Sequence, residues 1–240
     1  MRDLQWDGCI NARDLGGLGS MRTGAIVRME APTRLSADGW EAAWAYGIRT
    51  IVDLRHVNEG PPDQVPRPAG LTVVQVPQDP ATDTPFYKHW SQLDSLSSPL
   101  YFPALLTEYP EVIVAAARAI TNAPPGGVVI HCASGKDRTG LLSLALLALA
   151  GTEPEVIIAD YLLTYERMKP RFDELGLRDQ LTAVTDIVIA HGTTVEASLA
   201  STIEMLAMPA FLLSNGLRKE ELNALRARLL VPLHDGEGPA

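Results

Sequence analysis

Cys132 and Arg138 have five residues between them in the run Val128-Val-Ile-His-Cys-Ala-Ser-Gly-Lys-Asp-Arg-Thr-Gly140. A thiolate at the first of these positions can attack phosphorus and carry the phosphoryl group as a phosphocysteine. An arginine at the last offers a planar fork to two phosphate oxygens, which the point charge of a lysine cannot match. Ala133, Ser134, Gly135, Lys136 and Asp137 would bend between them so that backbone N–H groups turn inward. Such a loop is an anion nest, and the positive end of a following helix adds to it. Surroundings of this kind favour a cysteine thiolate. Donors fixed in advance also stabilise the charge that develops on the transferred group.

Other side chains can complete the chemistry. Thr139 can donate its hydroxyl to the sulfur, helping the thiolate leave in a second step. His131 either orients the loop through backbone hydrogen bonds or is a satisfied core residue. Lys136 adds a second cation, which suits a polyanionic headgroup such as a phosphoinositide and serves a single phosphate equally well. The leaving oxygen needs a proton, and Asp137, inside the loop, is the first candidate to give it. Asp53 is the second, at the end of a strand where open α/β sheets place their ligands. An ion pair with Arg55 or Arg13 is the competing role for Asp53. Asp79, Asp83 and Asp94 fall in a segment with no clear pattern.

Short Ile- and Val-rich strands are expected at Gly24–Met29, Ile48–Leu54, Leu71–Val76 and Val128–His131. A helix is expected after Ser36, with Gly47 as its stop, and another over Glu111–Ile120. The apolar run from Leu141 to Ala150 reads as a buried helix, half the length of a membrane span. Beyond Gly151 the pattern is helical, punctuated at Pro154, Pro170, Gly176, Gly192 and Gly216. Strands alternating with helices predict an α/β fold with a central, mostly parallel sheet of four or five strands flanked by helices. The Cys132 loop should lie at the carboxyl edge of that sheet. Gly60–Gly70, with four prolines, reads as a rigid loop, and 82–103 as a candidate flap. No composition shift marks a linker, so residues 1–240 are read as a single domain whose helical part, about 152–232, packs on the core.

The loop resembles that of the protein tyrosine phosphatase superfamily, in particular the bacterial tyrosine phosphatase-like group with a Gly-Lys-Asp-Arg-Thr loop. The resemblance continues in Asn11-Ala-Arg-Asp-Leu-Gly-Gly17, in Gly24 to Arg28, in Gly47-Ile-Arg-Thr-Ile-Val-Asp-Leu-Arg55 with Glu59, and in Gly216-Leu-Arg-Lys-Glu-Glu-Leu. It covers roughly residues 8 to 232 and is weakest between 60 and 110. It implies a phosphotyrosine phosphatase-like fold and a protein tyrosine or dual-specificity phosphatase. Some members of the group also act on phosphoinositides. Many superfamily members carry their acid on a separate flexible loop, and this chain has no clean equivalent. Arg13 and Asp14 are expected to clamp the Gly16-Gly17 turn.

The wider composition narrows the field. Lys and Arg number 20 against 29 Asp and Glu, for a formal charge of −9. That balance argues against a nucleic-acid partner and requires any anion site to be built locally. Two cysteines cannot make a disulfide framework and fit a reducing compartment. The acidic start is unlike a signal peptide, so a cytoplasmic protein is expected. The histidines at 56, 89, 131, 191 and 234 lack metal-ligand spacing, and no metal or cofactor is implied. A nucleotide P-loop fails because it needs Ser or Thr where Asp137 stands and Gly where Ile130 stands. A rhodanese-type sulfurtransferase or a non-catalytic phosphate-binding module are the remaining alternatives.

Overall fold

The computed structural model describes residues 2–93 and 95–231. Five strands form one sheet: β1 (Arg13–Asp14), β2 (Ile26–Met29), β3 (Ile48–Asp53), β4 (Thr72–Gln75) and β5 (Gly127–His131), in the spatial order β1-β2-β5-β3-β4. β2, β5, β3 and β4 run parallel, and only β1 is antiparallel to its neighbour. Every residue of β5 is buried, as a continuous apolar run in the middle of a two-sided sheet requires. β4 alternates half-buried and exposed residues, the pattern of an edge.

Alternate residues feed two apolar layers. Val27, Met29, Ile51 and Val129 meet Trp40 and Ala43 of α1 (Ala37–Ala45) on one face. Ile26, Val52, Val128 and Ile130 meet α4 (Glu111–Asn122) and α5 (Asp137–Leu149) on the other. α1 begins where expected, with Ser36 Oγ accepting from the Gly39 N–H at 3.1 Å. α2 (Pro85–Gln92) and α3 (Phe102–Glu108) precede α4, so 82–103 is substantially helical. Asp94 lies outside the described residues.

α6 spans Pro154–Glu174 and runs straight through Pro170, where the sequence reading placed a break. Pro170 is exposed, so the Glu166 carbonyl it leaves without a donor can turn to water. Tyr165, Met168 and Phe172 meanwhile keep the buried face of the helix packed. α7 (Gln180–Ala190), α8 (Val195–Leu206), α9 (Ala210–Ser214) and α10 (Lys219–Leu229) complete the chain. Among the described residues, no helix is long and apolar enough to cross a membrane.

The register sets the site. Met29, His131, Asp53 and Gln75 lie side by side at the carboxyl ends of β2, β5, β3 and β4. The loops leaving that edge carry Glu30, Cys132, Arg55 with Glu59, and Asp79.

Candidate active site

Cys132 is the first residue after β5 and is 2 % exposed, at the base of a loop that ends in the first turn of α5. The loop is held from outside by its carbonyls. The Ala31 N–H donates to Ala133 O at 2.9 Å, Asn11 Nδ2 to Ser134 O at 3.2 Å, and Arg28 Nη2 to Gly135 O at 2.8 Å. With three successive carbonyls drawn outward, the N–H groups of Ala133 to Lys136 take no backbone partner among the described residues. N–H groups left without backbone partners in a row are what an anion nest requires. Gly135 has φ of +70°, and a Cβ there would lie 2.4 Å from the Met29 carbonyl oxygen. Only glycine fits that turn.

The residues that pull on the loop are themselves anchored. Glu30 accepts from the N–H groups of Ile10 and Asn11 and from Cys9 Sγ, which fixes the segment carrying Asn11. Burial first, and then Glu30, push the Cys9 thiol well up, so it stays protonated. Asp160 of α6 takes Arg13 Nε at 3.0 Å and Arg28 Nη1 at 2.7 Å, and it also pairs with Arg2. Its neighbour one turn on, Thr164, accepts from both Arg13 and Arg28. Arg13 therefore belongs to this buried cluster rather than to the Gly16-Gly17 turn. Asp14 alone does the clamping expected of the pair, accepting from Gly16, Gly24 and the Tyr46 hydroxyl.

Burial raises the Asp160 carboxyl, but the surrounding arginines outweigh it and hold the group far below the usual carboxylate range. A folded-state value below the unfolded one, ~3.9, means stability that is complete above about pH 4 and drains away as the pH falls further. Asp160→Asn strands two buried guanidinium groups and should cost about 3–5 kcal/mol. The readout is a lower urea midpoint at unchanged slope. A midpoint within error of the wild type would show that the cluster contributes little.

Arg138 projects from α5 into a carboxylate frame. Its Nη1 and Nη2 donate to Glu59 at 2.7 and 2.6 Å, and its Nε lies 3.3 Å from Asp79 Oδ2. Burial opposes the guanidinium charge, but the Glu59 hydrogen bonds and the negative charges around it together outweigh that and raise the group further. Glu59 was visible in the sequence only as part of the resemblance. Its role as the clamp on Arg138 comes from the fold.

Lys136 points away from the nest. It is 3 % exposed, and its Nζ donates to Ser97 O at 2.6 Å and Asp137 Oδ1 at 2.8 Å. The ammonium also sits 5.2 Å from the centre of the Tyr165 ring. This ties the phosphate loop to the 82–103 segment and leaves no second free cation at this position. Thr139 Oγ1 is buried with no hydrogen-bond partner among the described residues, so its bond to the sulfur is not formed here. His131 Nδ1 donates to the Cys132 carbonyl at 2.9 Å, and its Nε2 faces Asp53 Oδ2 at 3.8 Å. Burial pushes this imidazole down to about 4, so it orients the loop as a neutral ring.

The aspartates separate by their partners. Asp53 is held by Arg55 through Nε at 2.9 Å and Nη2 at 2.8 Å, the competing role weighed from the sequence. Burial raises its carboxyl, but Arg55 and the other partners more than offset that and leave it lowered. Asp137 gives one oxygen to Lys136 and to the Tyr161 hydroxyl, the latter at 3.5 Å. Asp79 differs from both: Oδ1 is buried without a partner among the described residues, and burial pushes the carboxyl up to about 6 despite Arg138.

Residues 4–231 match the model of the tyrosine phosphatase family. A Cupriavidus necator protein provisionally named a tyrosine-protein phosphatase is 31 % identical over 197 residues, covering 73 % of this chain and 67 % of that protein. With the match extending from before β1 to the end of α10, the chain belongs to the tyrosine phosphatase family.

Proposed function

We propose that this phosphatase works through a phosphocysteine on Cys132 and takes phosphotyrosine in proteins as its substrate class. The observation that carries the reading is the loop from Cys132 to Arg138, whose carbonyls are bound from behind and whose N–H groups are left for an anion. In the first step the Cys132 sulfur attacks phosphorus, the ester P–O bond breaks, and the leaving oxygen takes a proton. Water then attacks phosphorus, the P–S bond breaks, and inorganic phosphate departs as the thiolate is restored. Thr139, whose hydroxyl has no partner among the described residues, is our candidate to steady that thiolate by donating to the sulfur.

The proton donor best supported is Asp79. Asp53 and Asp137 each meet a cation at 2.8 Å, whereas Asp79 lies 3.3 Å from Arg138 and keeps one oxygen without a partner among the described residues. Asp79 faces the Nε edge of Arg138, the edge that Glu59 leaves for phosphate. Its Oδ1 has no partner among the described residues and is the oxygen that would carry the proton. A phosphoinositide substrate is the second reading, but Lys136, the residue that suggested it, is turned away and buried. The chain from 1 to 240 is read as one phosphatase domain, and a thiolate nucleophile suits a reducing, cytoplasmic setting.

Rapid acid quenching during turnover of a phosphotyrosine peptide, followed by mass spectrometry of the digest, tests the intermediate. A phosphoryl adduct is expected on the peptide that contains Cys132. An adduct elsewhere, or full turnover with none at any quench time, would refute the mechanism.

A further inference from the structure

In the segment after Glu59 lies an open cleft of about 530 Å³ whose walls include Arg55, Pro61, Pro62, Asp63, Pro66 and Arg67. Its position follows from the chain. Glu59, which grips Arg138, is two residues before Pro61, so the cleft opens within ~7 Å of chain from the phosphate clamp. Arg55 is 8 % exposed, and Asp53 takes its Nε and Nη2 but not its Nη1. Nη1 has no partner among the described residues and borders the cleft beside Gly60, 3.2 Å from where a Cβ on that residue would stand. Arg67, across the cleft, spends its Nε on Asp63 and keeps both Nη groups for other partners.

We propose that this cleft is a specificity subsite for an acidic side chain flanking the phosphorylated tyrosine of a peptide substrate. The inference rests on the phosphatase reading above and adds the sequence preference to it. Asp53 orients the Arg55 plane from behind, so its free N–H is fixed before any ligand arrives. Asp63 balances the charge of Arg67, and Asp53 that of Arg55. The cleft therefore offers directed donors with little net charge, which suits a monoanionic carboxylate better than a second phosphate. The buried Lys136 points the same way, because a polyphosphorylated headgroup would find no further free cation at that position. Proline walls hold their shape and can flank an extended chain without having to order on binding.

The test is a ratio measured within one enzyme preparation. Two phosphotyrosine peptides are compared that differ only by Glu or Gln beside the phosphotyrosine, with the substitution walked over positions on either side. At one position the Glu peptide should lead in kcat/KM by roughly three- to tenfold, the range of a partly exposed charge-assisted pair. In Arg55→Gln that ratio should fall to about 1, and raised salt should shrink it in the wild type. Because both peptides meet the same enzyme, general damage from the substitution cancels. Arg67→Met gives a second variant that leaves the Asp53 pair intact, and it should narrow the ratio. Phenyl phosphate hydrolysis by the wild type is the control: its absence would count against the phosphatase reading, not the subsite. A ratio near 1 at every position in the wild type, or one unchanged in both variants, overturns the subsite. A phosphoinositide in mixed vesicles that outcompetes both peptides, with that advantage lost in Arg55→Gln, overturns the peptide assignment.

Discussion

Cys132→Ser should stop phosphate release while leaving orthovanadate and phosphate binding intact. A serine hydroxyl stays protonated at neutral pH, and the neighbouring imidazole of His131 is not placed to take its proton. His131 is buried and already donates to the Cys132 carbonyl, and its Nε2, without a hydrogen-bond partner among the described residues, faces Asp53 at 3.8 Å. The rate should therefore drop by at least ~10⁴-fold, as when other nucleophiles are removed. Binding is a separate matter, because it depends on the loop N–H groups and on Arg138, which the substitution does not touch. Arg138→Ala should behave in the opposite way and lose both properties. It removes the fork and leaves Glu59 and Asp79 as uncompensated carboxylates facing the anion. Arg138→Lys should rescue little, since an ammonium cannot satisfy Glu59 and phosphate in one plane. Calorimetric titration with vanadate beside turnover measurements separates these cases. A Cys132→Ser enzyme working at the wild-type rate would remove Cys132 from the chemistry.

The contrast between these two residues and the others shows what a sequence can convey about such a site. The loop was legible because its chemistry is local. A strand, a glycine turn, a helix start and a Cys-to-Arg spacing all fall within a single stretch, and the strands beside it announce themselves by their Val and Ile runs. The carboxylates were not legible, because their state depends on what meets them in space. Asp53 and Asp79 are equally plain aspartates in the chain. The fold gives Asp53 a two-pronged hydrogen-bonded arginine, and gives Asp79 a looser arginine contact on one oxygen and, among the described residues, no partner on the other. Lys136 reads as a second phosphate ligand until the Ser97 carbonyl, far away in sequence, turns it outward from the nest. Asp160 went unnoticed although a signal existed. It lies with Ile157, Tyr161 and Thr164 on the buried stripe of α6, and an acid on such a stripe must have a cation waiting for it.

Asp79→Asn should slow the hydrolysis of phenyl phosphate by ~10²–10⁴-fold and that of 4-nitrophenyl phosphate far less, because only the poorer leaving group needs the proton. The sign of the pH dependence follows from the raised carboxyl. An acid must be protonated to act, and burial holds Asp79 at about 6, so the wild-type rate on phenyl phosphate should decline as the pH rises through that region. The substrate's own second ionisation, at ~6, falls in the same window and shapes the profile too. Comparison with the variant separates the two, because Asp79→Asn keeps the substrate ionisation and loses only the enzyme's acid. The difference between the two profiles of kcat/KM, which report the free enzyme, should then trace one group titrating near 6. Asp53→Asn should instead affect both substrates alike, since it frees Arg55 and disturbs the strand end beside His131. Asp137→Asn should also act on both, through the Lys136 tie to Ser97. If Asp137→Asn rather than Asp79→Asn shows the leaving-group-selective loss, the proton comes from within the loop. Asp79 would then serve as the second carboxylate that orients Arg138.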